Sequence, residues 1–524
     1  MSTSTKPTIL IICDGFGIAP KGKGNAVTRA KMPVLERLVR SYPAMTLQAS
    51  GAEVGLSWGV MGNSEVGHMT IGAGRVAYQL LARIDQSIES GTFFKNEALI
   101  SAMDQVKKTG GTLHLAGLIS PGKVHGMDAH CLALLEMAKK RKCKDVAVHA
   151  FMDGRDTLYN AGIDFMGTFL TKMKKIKVGT LASMVGRAYA LDRNEKYDRT
   201  KLAYEVMAEG KGEKTEDPLE AIKASYKKEV YDEMFPPTVI VEGEEPPVTV
   251  KDGDAIIFFN FRSDRMRQLV HAFADEKFSK FPREKKDVFI VTMAEYEAGL
   301  PVQVAFPPEP IKNCLAEAVA DAGLSQLHIA ETEKYPHVTF FLNGTREEPF
   351  PKEKRIIIPS PSVSSYDKKP EMSAIEITKN VVADVKKHGH DLIVVNFANG
   401  DMVAHTGNLK ASIEAMETID ECIGKIVETT LEQEGVVFVT GDHGNAEEVE
   451  NLRTGEIDTE HSTNPVPFIV VGKRYEGVQA PSGPVPDGDL SLVPPVGMLA
   501  DVAPTVLSVM GLKVPKEMTG RPLI

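Results

Sequence analysis

A chain of 524 residues exceeds what one hydrophobic core usually organises, so two or more domains are expected. With 43% hydrophobic and 25% charged residues it falls in the globular range, away from disordered, collagenous and disulfide-scaffold compositions. The 61 basic against 71 acidic residues give −10, which argues against a general nucleic-acid or anionic-membrane binder, so any anion site must be built locally.

The five cysteines, Cys13, Cys131, Cys143, Cys314 and Cys422, are scattered and never form a CxxC pair. That spacing suggests neither a disulfide framework nor a structural zinc site, and suits a reducing cytoplasm. The opening Met-Ser-Thr-Ser-Thr-Lys-Pro lacks a basic segment followed by an apolar one, and no run of about 18 apolar residues occurs. Secretion and membrane spanning are therefore not expected.

In chain order, the first buried strand is expected at Thr8 to Cys13, and it delivers Asp14 into Gly15-Phe16-Gly17. Open α/β sheets place ligands at such carboxyl ends, although Asp-Gly is also ordinary turn chemistry. A helix follows from Pro33, with Val34, Leu35, Leu38 and Val39 on one face. Ser64 comes after the turn Gly59-Val60-Met61-Gly62-Asn63 and before a helix from Glu65, a setting for a simple N-cap or for a nucleophile. The Gly-rich Gly72-Ala73-Gly74-Arg75 reads as a domain boundary.

Further strands are expected at Thr112 to Ile119, Asp145 to Phe151, Ala255 to Phe259 and Val288 to Thr292. Near their ends stand Asp153-Gly-Arg-Asp156, Gly186-Arg187 with Asp192-Arg193, and Asn260-Phe-Arg-Ser-Asp-Arg265. One arginine there would pass for a surface residue; five at strand ends suggest a carboxylate and phosphate cradle. Residues from about 200 to 252 read as a solvated helical and loop region, and the prolines from Pro301 to Pro310 as an extended linker.

Beyond that linker, Leu392 to Phe397 leads to Asp401-Met-Val-Ala-His405, and Val436 to Thr440 leads to Asp442-His443-Gly444-Asn445. A four-residue spacing puts Asp401 and His405 on one helical face. His461 precedes the last expected strand, Pro467 to Val471, and offers another imidazole. Carboxylates and imidazoles without thiolates suit manganese, zinc or a similar divalent ion, and the supply suffices for two ions, a recurrent arrangement in phosphoryl transfer. Alternating strands and helices imply an α/β sheet architecture.

Several motifs then coincide: Met61-Gly-Asn-Ser-Glu-Val-Gly-His68, Asp153-Gly-Arg-Asp156, Asn260-Phe-Arg-Ser-Asp-Arg265, Glu331-Thr-Glu-Lys-Tyr335 with His337-Val-Thr-Phe-Phe341, Asp401 to Gly407, Asp442-His-Gly-Asn445 and His461-Ser-Thr-Asn-Pro465. In this combination the chain resembles, over essentially its full length, the cofactor-independent phosphoglycerate mutases of the alkaline phosphatase superfamily. The resemblance implies an alkaline-phosphatase-like sheet domain from residues 1–76 and 312–524, metal-binding, with a second α/β phosphotransferase domain, 77–311, inserted. It implies one divalent ion on Asp14, Ser64, Asp442 and His443 and another on Asp401, His405 and His461, manganese first, with magnesium, cobalt or zinc as alternatives, and no 2,3-bisphosphoglycerate. Ser64 would be the nucleophile and Asp156 the general acid/base. His125, Arg155, Asp156, Arg187, Arg193, Arg262 and Arg265 would line the substrate site, and Lys334 would support the phosphate.

The reaction so implied is interconversion of 3- and 2-phosphoglycerate in glycolysis and gluconeogenesis by a cytoplasmic monomer, with no nucleic-acid or membrane partner. A metal-dependent phosphohydrolase of the same superfamily and a non-catalytic phosphometabolite sensor are the alternatives. The chain departs from commoner family forms at Lys123 and Gly126, which flank His125 where Gly and Ser are usual, and at Gly400 and Ala404 around Asp401, where Pro and Gly are frequent.

Overall fold

The strand Thr8–Cys13 alternates its side chains between two cores, and this sets the plan of the first sheet in the computed structural model, which describes residues 7–451 and 454–524. Ile9, Ile11 and Cys13 pack with Leu35 and Leu38 of helix Pro33–Ser41 and with Met416, Ile419 and Ile423 of helix Leu409–Glu432. Leu10 and Ile12 face the opposite core, with Val66 and Ile71 of helix Ser64–Ala73 and Val506 of helix Val502–Val509. A strand buried on both faces must be apolar throughout, as Thr-Ile-Leu-Ile-Ile-Cys nearly is.

Two compact units emerge: the chain up to Gln79 with Pro310–Ile524, and Leu80–Glu309. The first holds an eight-stranded sheet in the order Glu353–Ile358, Gln326–Glu331, Leu392–Phe397, Thr8–Cys13, Val436–Gly441, Val466–Val471, Ala44–Gln48, Gly497–Met498. The strands up to Val436–Gly441 run parallel, and Val466–Val471 runs against its neighbours. The second unit holds another eight-stranded sheet, ordered Gln303–Phe306, Phe289–Ala294, Ala255–Phe258, Leu113–Leu118, Val146–Met152, Thr180–Gly186, Thr238–Ile240, Glu213–Thr215. All its pairings are parallel except that of Thr180–Gly186 with Thr238–Ile240.

Several expectations need correction. The unit edges, expected at 76/77 and 311/312, lie at Gln79/Leu80 and Glu309/Pro310, within three residues. Gln79 N donates to Gly55 O at 2.9 Å, tying the chain after helix Ser64–Ala73 to the first unit, while Arg83 binds Pro307 O (3.2 Å) and Glu309 within the second. Gly72 and Ala73 finish that helix and Gly74 caps it in the left-handed region, so the glycines mark a helix end. The proline-flanked segment is no simple linker, because Gln303–Phe306 forms an edge strand on Phe289–Ala294. Nor is the stretch from 200 to 252 merely solvated. Helix Tyr197–Ala208 buries Ala203, Tyr204, Val206 and Met207, and two short strands close the sheet edge beyond it.

Some strands lay outside the sequence reading because their composition hides them. Gln326–Glu331 carries Gln326 and His328, polar residues buried only because Gln326 Nε2 donates to Ala316 O (2.8 Å) and His328 Nδ1 to Val338 O (2.6 Å).

Candidate metal centre and arginine cluster

In the first sheet Cys13 is in register with both Phe397 and Gly441, so three parallel strands end at one level. Asp14 and Asp442 leave directly from two of them, and Asp401 stands in the short helix Asn399–Ala404 beyond the third. Lys334 follows Gln326–Glu331 at the same edge, and the antiparallel sense of Val466–Val471 brings His461 there as well. Sheet topology alone gathers residues far apart in sequence.

Ser64 is not the helix cap. Asn63 takes that duty, its side chain accepting from Val66 N at 3.0 Å, which leaves the Ser64 hydroxyl free at the first helical position. Ser64 Oγ lies 3.0 Å from Asp14 Oδ1 and 2.9 Å from His443 Nε2, and accepts from Lys334 Nζ at 2.7 Å. The same ammonium donates to Asp14 Oδ1 (2.7 Å) and Asp401 Oδ2 (2.6 Å). Burial opposes charge on Lys334, but Asp14, Asp401 and Asp442 outweigh it and hold the group protonated far above its usual range. Burial also works against ionising Asp14 and Asp401; Lys334 is the largest influence the other way, and both carboxyls stay well below the usual range.

The histidine hydrogen bonds define which ring nitrogens are free. Nδ1 of His405 faces Thr459 O (2.7 Å), Nδ1 of His461 faces Gly62 O (2.8 Å) and Nδ1 of His443 faces Gly444 O (3.2 Å). Carbonyls only accept, so each Nδ1 carries a hydrogen, and Nε2 is the ring nitrogen left to turn toward the carboxylates or a metal ion. The Nε2 atoms of His405 and His461 lie 3.1 Å apart, and 3.1 and 3.2 Å from Asp401 Oδ1. Two imidazole nitrogens and a carboxylate oxygen converging this closely suit a cation. Asp14, His443 and Asp401 form a second such group, and Asp442 Oδ2 is buried with no hydrogen-bond donor. Burial disfavours charge on His443, yet Asp442, Asp14 and Asp401 raise its imidazole to about 10. These residues fit divalent ions at both places.

The second unit carries its own cluster. Arg187 is buried and its Nη1 donates to Asp153 Oδ1 and Asp156 Oδ2, each at 2.6 Å. Arg193 and Arg262 converge on Asp264, at 2.7 and 3.2 Å, while Arg265 donates to Leu191 O at 3.2 Å. Arg155, more exposed, pairs with Glu233 at 3.3 Å. His125 Nδ1 and Asp264 Oδ1, 3.8 Å apart, and Arg265 Nε are buried polar atoms without a hydrogen-bond partner, the signature of a place shaped for a polar ligand. Burial, then Arg187 and Arg262, push the His125 imidazole down to about 4, so it faces that place neutral. Lys123, two residues before it, is held at φ +59°, a conformation in which glycine is unstrained.

Supporting residues escaped the sequence reading. Asn396 donates to Asp14 Oδ2 (2.8 Å), while His68, whose Nε2 meets Asn396 Nδ2 at 3.0 Å, directs Nδ1 to Ser64 O (2.9 Å) and lies 3.1 Å from Asp442. Asn445 donates to Asp401 Oδ1 at 2.8 Å. The signal for Asn396 was a lone amide inside the apolar run Leu-Ile-Val-Val-Asn-Phe; His68 and Asn445 stood within motifs already noted.

Fold and site together define an α/β enzyme whose acid–imidazole centre surrounds a serine at the carboxyl edge of a largely parallel sheet. A family model described as BPG-independent PGAM N-terminus matches residues 84–298. The 2,3-bisphosphoglycerate-independent phosphoglycerate mutase of Clostridium perfringens (strain 13 / Type A) is 49% identical over 522 residues, covering 99% of both chains. Its counterpart in Thermomicrobium roseum is 48% identical, covering 98% of this chain and 97% of its own. Among solved structures, the Leishmania mexicana phosphoglycerate mutase at low cobalt concentration matches with a TM-score of 0.59 and 30% identity, covering 99% of this chain and 97% of that one. The chain belongs to the 2,3-bisphosphoglycerate-independent phosphoglycerate mutases.

Proposed function

We propose that the chain interconverts 3-phosphoglycerate and 2-phosphoglycerate in glycolysis and gluconeogenesis through a phosphoserine at Ser64, without 2,3-bisphosphoglycerate. The observation that carries this reading is the uncapped Ser64 hydroxyl held between His443 Nε2, Asp14 Oδ1 and Lys334 Nζ, all within 3.0 Å. Asp14, Ser64, Asp442 and His443 would hold one divalent ion, and Asp401, His405 and His461 another. Bound there, the ions would lower the hydroxyl pKa and neutralise phosphoryl charge. The oxygen and nitrogen donors suit manganese, with magnesium, cobalt or zinc as alternatives.

Ser64 Oγ, its proton released to water, attacks the phosphorus as the oxyanion, and the bond from phosphorus to the substrate oxygen breaks; Ser64 leaves again as the same oxyanion when the phosphoryl group returns to substrate. Lys334 steadies the phosphoryl oxygens, while the arginine cluster with His125 holds the glycerate carboxylate and hydroxyls. Asp156 gives a proton to the departing alkoxide. The retained glycerate turns, Asp156 takes the proton of the other hydroxyl, and that oxygen recovers the phosphoryl group from Ser64. A reducing compartment is the setting we infer, supported by cysteines that are all free and buried. Among the described residues no helix is long and apolar enough to cross a membrane.

The test is conversion of 3-phosphoglycerate by manganese-loaded protein free of 2,3-bisphosphoglycerate, with inorganic phosphate followed in parallel. Isomerisation with little phosphate release supports the proposal. Phosphate release without isomerisation would instead mark a hydrolase.

A further inference from the structure

Glu447 takes no part in the reaction just described, yet it is fully buried and accepts from four donors. Gly17 N (3.1 Å) and Asn445 N (2.8 Å) meet its Oε2; Ser462 Oγ and Asn464 Nδ2 (3.0 Å) meet its Oε1. Each oxygen is thereby satisfied by two donors. The donors come from three separate segments: the loop that carries Asp14, the loop that carries Asp442 and His443, and the loop that carries His461. Two glycines make room for it. A Cβ on Gly17 would lie 2.2 Å from Glu447 Cδ, and one on Gly444 would lie 2.4 Å from Glu447 Oε1.

We infer that Glu447 is a positioning residue that sets the spacing between the two ligand groups, tying the Asp14–Asp442–His443 set to His461 of the other. The inference rests on the proposal that both groups bind divalent ions. It depends on the carboxylate as such. A glutamine would keep the shape but turn an NH2 toward donors that already occupy both sides, so at least one loop must be released.

The experiment titrates manganous ion into metal-free, full-length protein, counting bound ion by calorimetry and by loss of the free-ion electron spin resonance signal. Thermal unfolding of the metal-free protein reports the fold. Wild type should bind two ions, and folded Glu447→Gln should bind both about 10–100-fold more weakly. Should that variant not fold, Ser462→Ala decides, because it removes one donor and leaves the carboxylate in place. It should weaken the ion held with His461 about tenfold and leave the other within about twofold. Wild-type affinity in folded Glu447→Gln, or in Ser462→Ala, would overturn the inference. Failure of wild type itself to bind manganese would instead remove the metal reading on which it stands.

Discussion

Replacing Arg187 by methionine should expose how the arginine cluster is held. Its guanidinium is 2% exposed and bridges Asp153, equally buried, and Asp156, 11% exposed. Methionine fills much of the volume but leaves two carboxylates without their cation, and breaking a buried pair in this way costs about 3–5 kcal/mol. Asp153 keeps Ser120 Oγ and the backbone N–H groups of Arg155 and Asp156, and Asp156 can reach water, so the loss should lie near the lower bound, about 3 kcal/mol. For a unit the size of Leu80–Glu309 this lowers the melting midpoint by about 6–12 °C. Burial alone would raise the Asp153 pKa, but Ser120, the Asp156 N–H and Arg187 together hold it below the usual carboxylate value. A depressed pKa contributes stability above the unfolded carboxylate value and loses it as pH falls through the folded value. The gap between wild type and variant should therefore be full at pH 7 and close under acid conditions. Calorimetry of both proteins from pH 7 downward checks this. A shift below about 2 °C at pH 7, or a gap independent of pH, would refute the reasoning.

Ser64→Ala should reduce mutase turnover by more than about a thousandfold while retaining substrate binding, measured by coupled assay and by calorimetry with 3-phosphoglycerate. Asp156→Asn should slow interconversion by about 10²–10⁴-fold, read in the same assay. Chelation should abolish turnover, and added manganese should restore it. The His125 imidazole should titrate near 4 by NMR; a neutral buried histidine makes the fold lose stability as pH falls below the unfolded value of about 6.5. Lys123→Gly should relieve a left-handed residue and stabilise the protein by about 1 kcal/mol, visible as a small rise in melting midpoint.

Local sequence determined a good deal. Apolar runs of strand length located Thr8–Cys13 and Leu392–Phe397 to the residue, because a strand buried on both faces admits little else. Proline at the first helical position announced Pro33–Ser41, and the motifs named Asp14, Ser64, Asp401, His405, Asp442, His443 and His461 as a group. What the tertiary structure alone decided is how the groups face one another. Whether Ser64 caps its helix or stands free depends on Asn63, and two adjacent residues with similar capping chemistry cannot be told apart by composition. That His443 and His461 turn Nε2 toward the carboxylates follows from carbonyls hundreds of residues away or one residue on, which spacing does not encode. Gln326–Glu331 escaped because its polar side chains are satisfied only by partners that the fold supplies. Glu447 escaped for the same reason: a buried carboxylate is stable only where several loops bring it donors, and that meeting exists only in three dimensions.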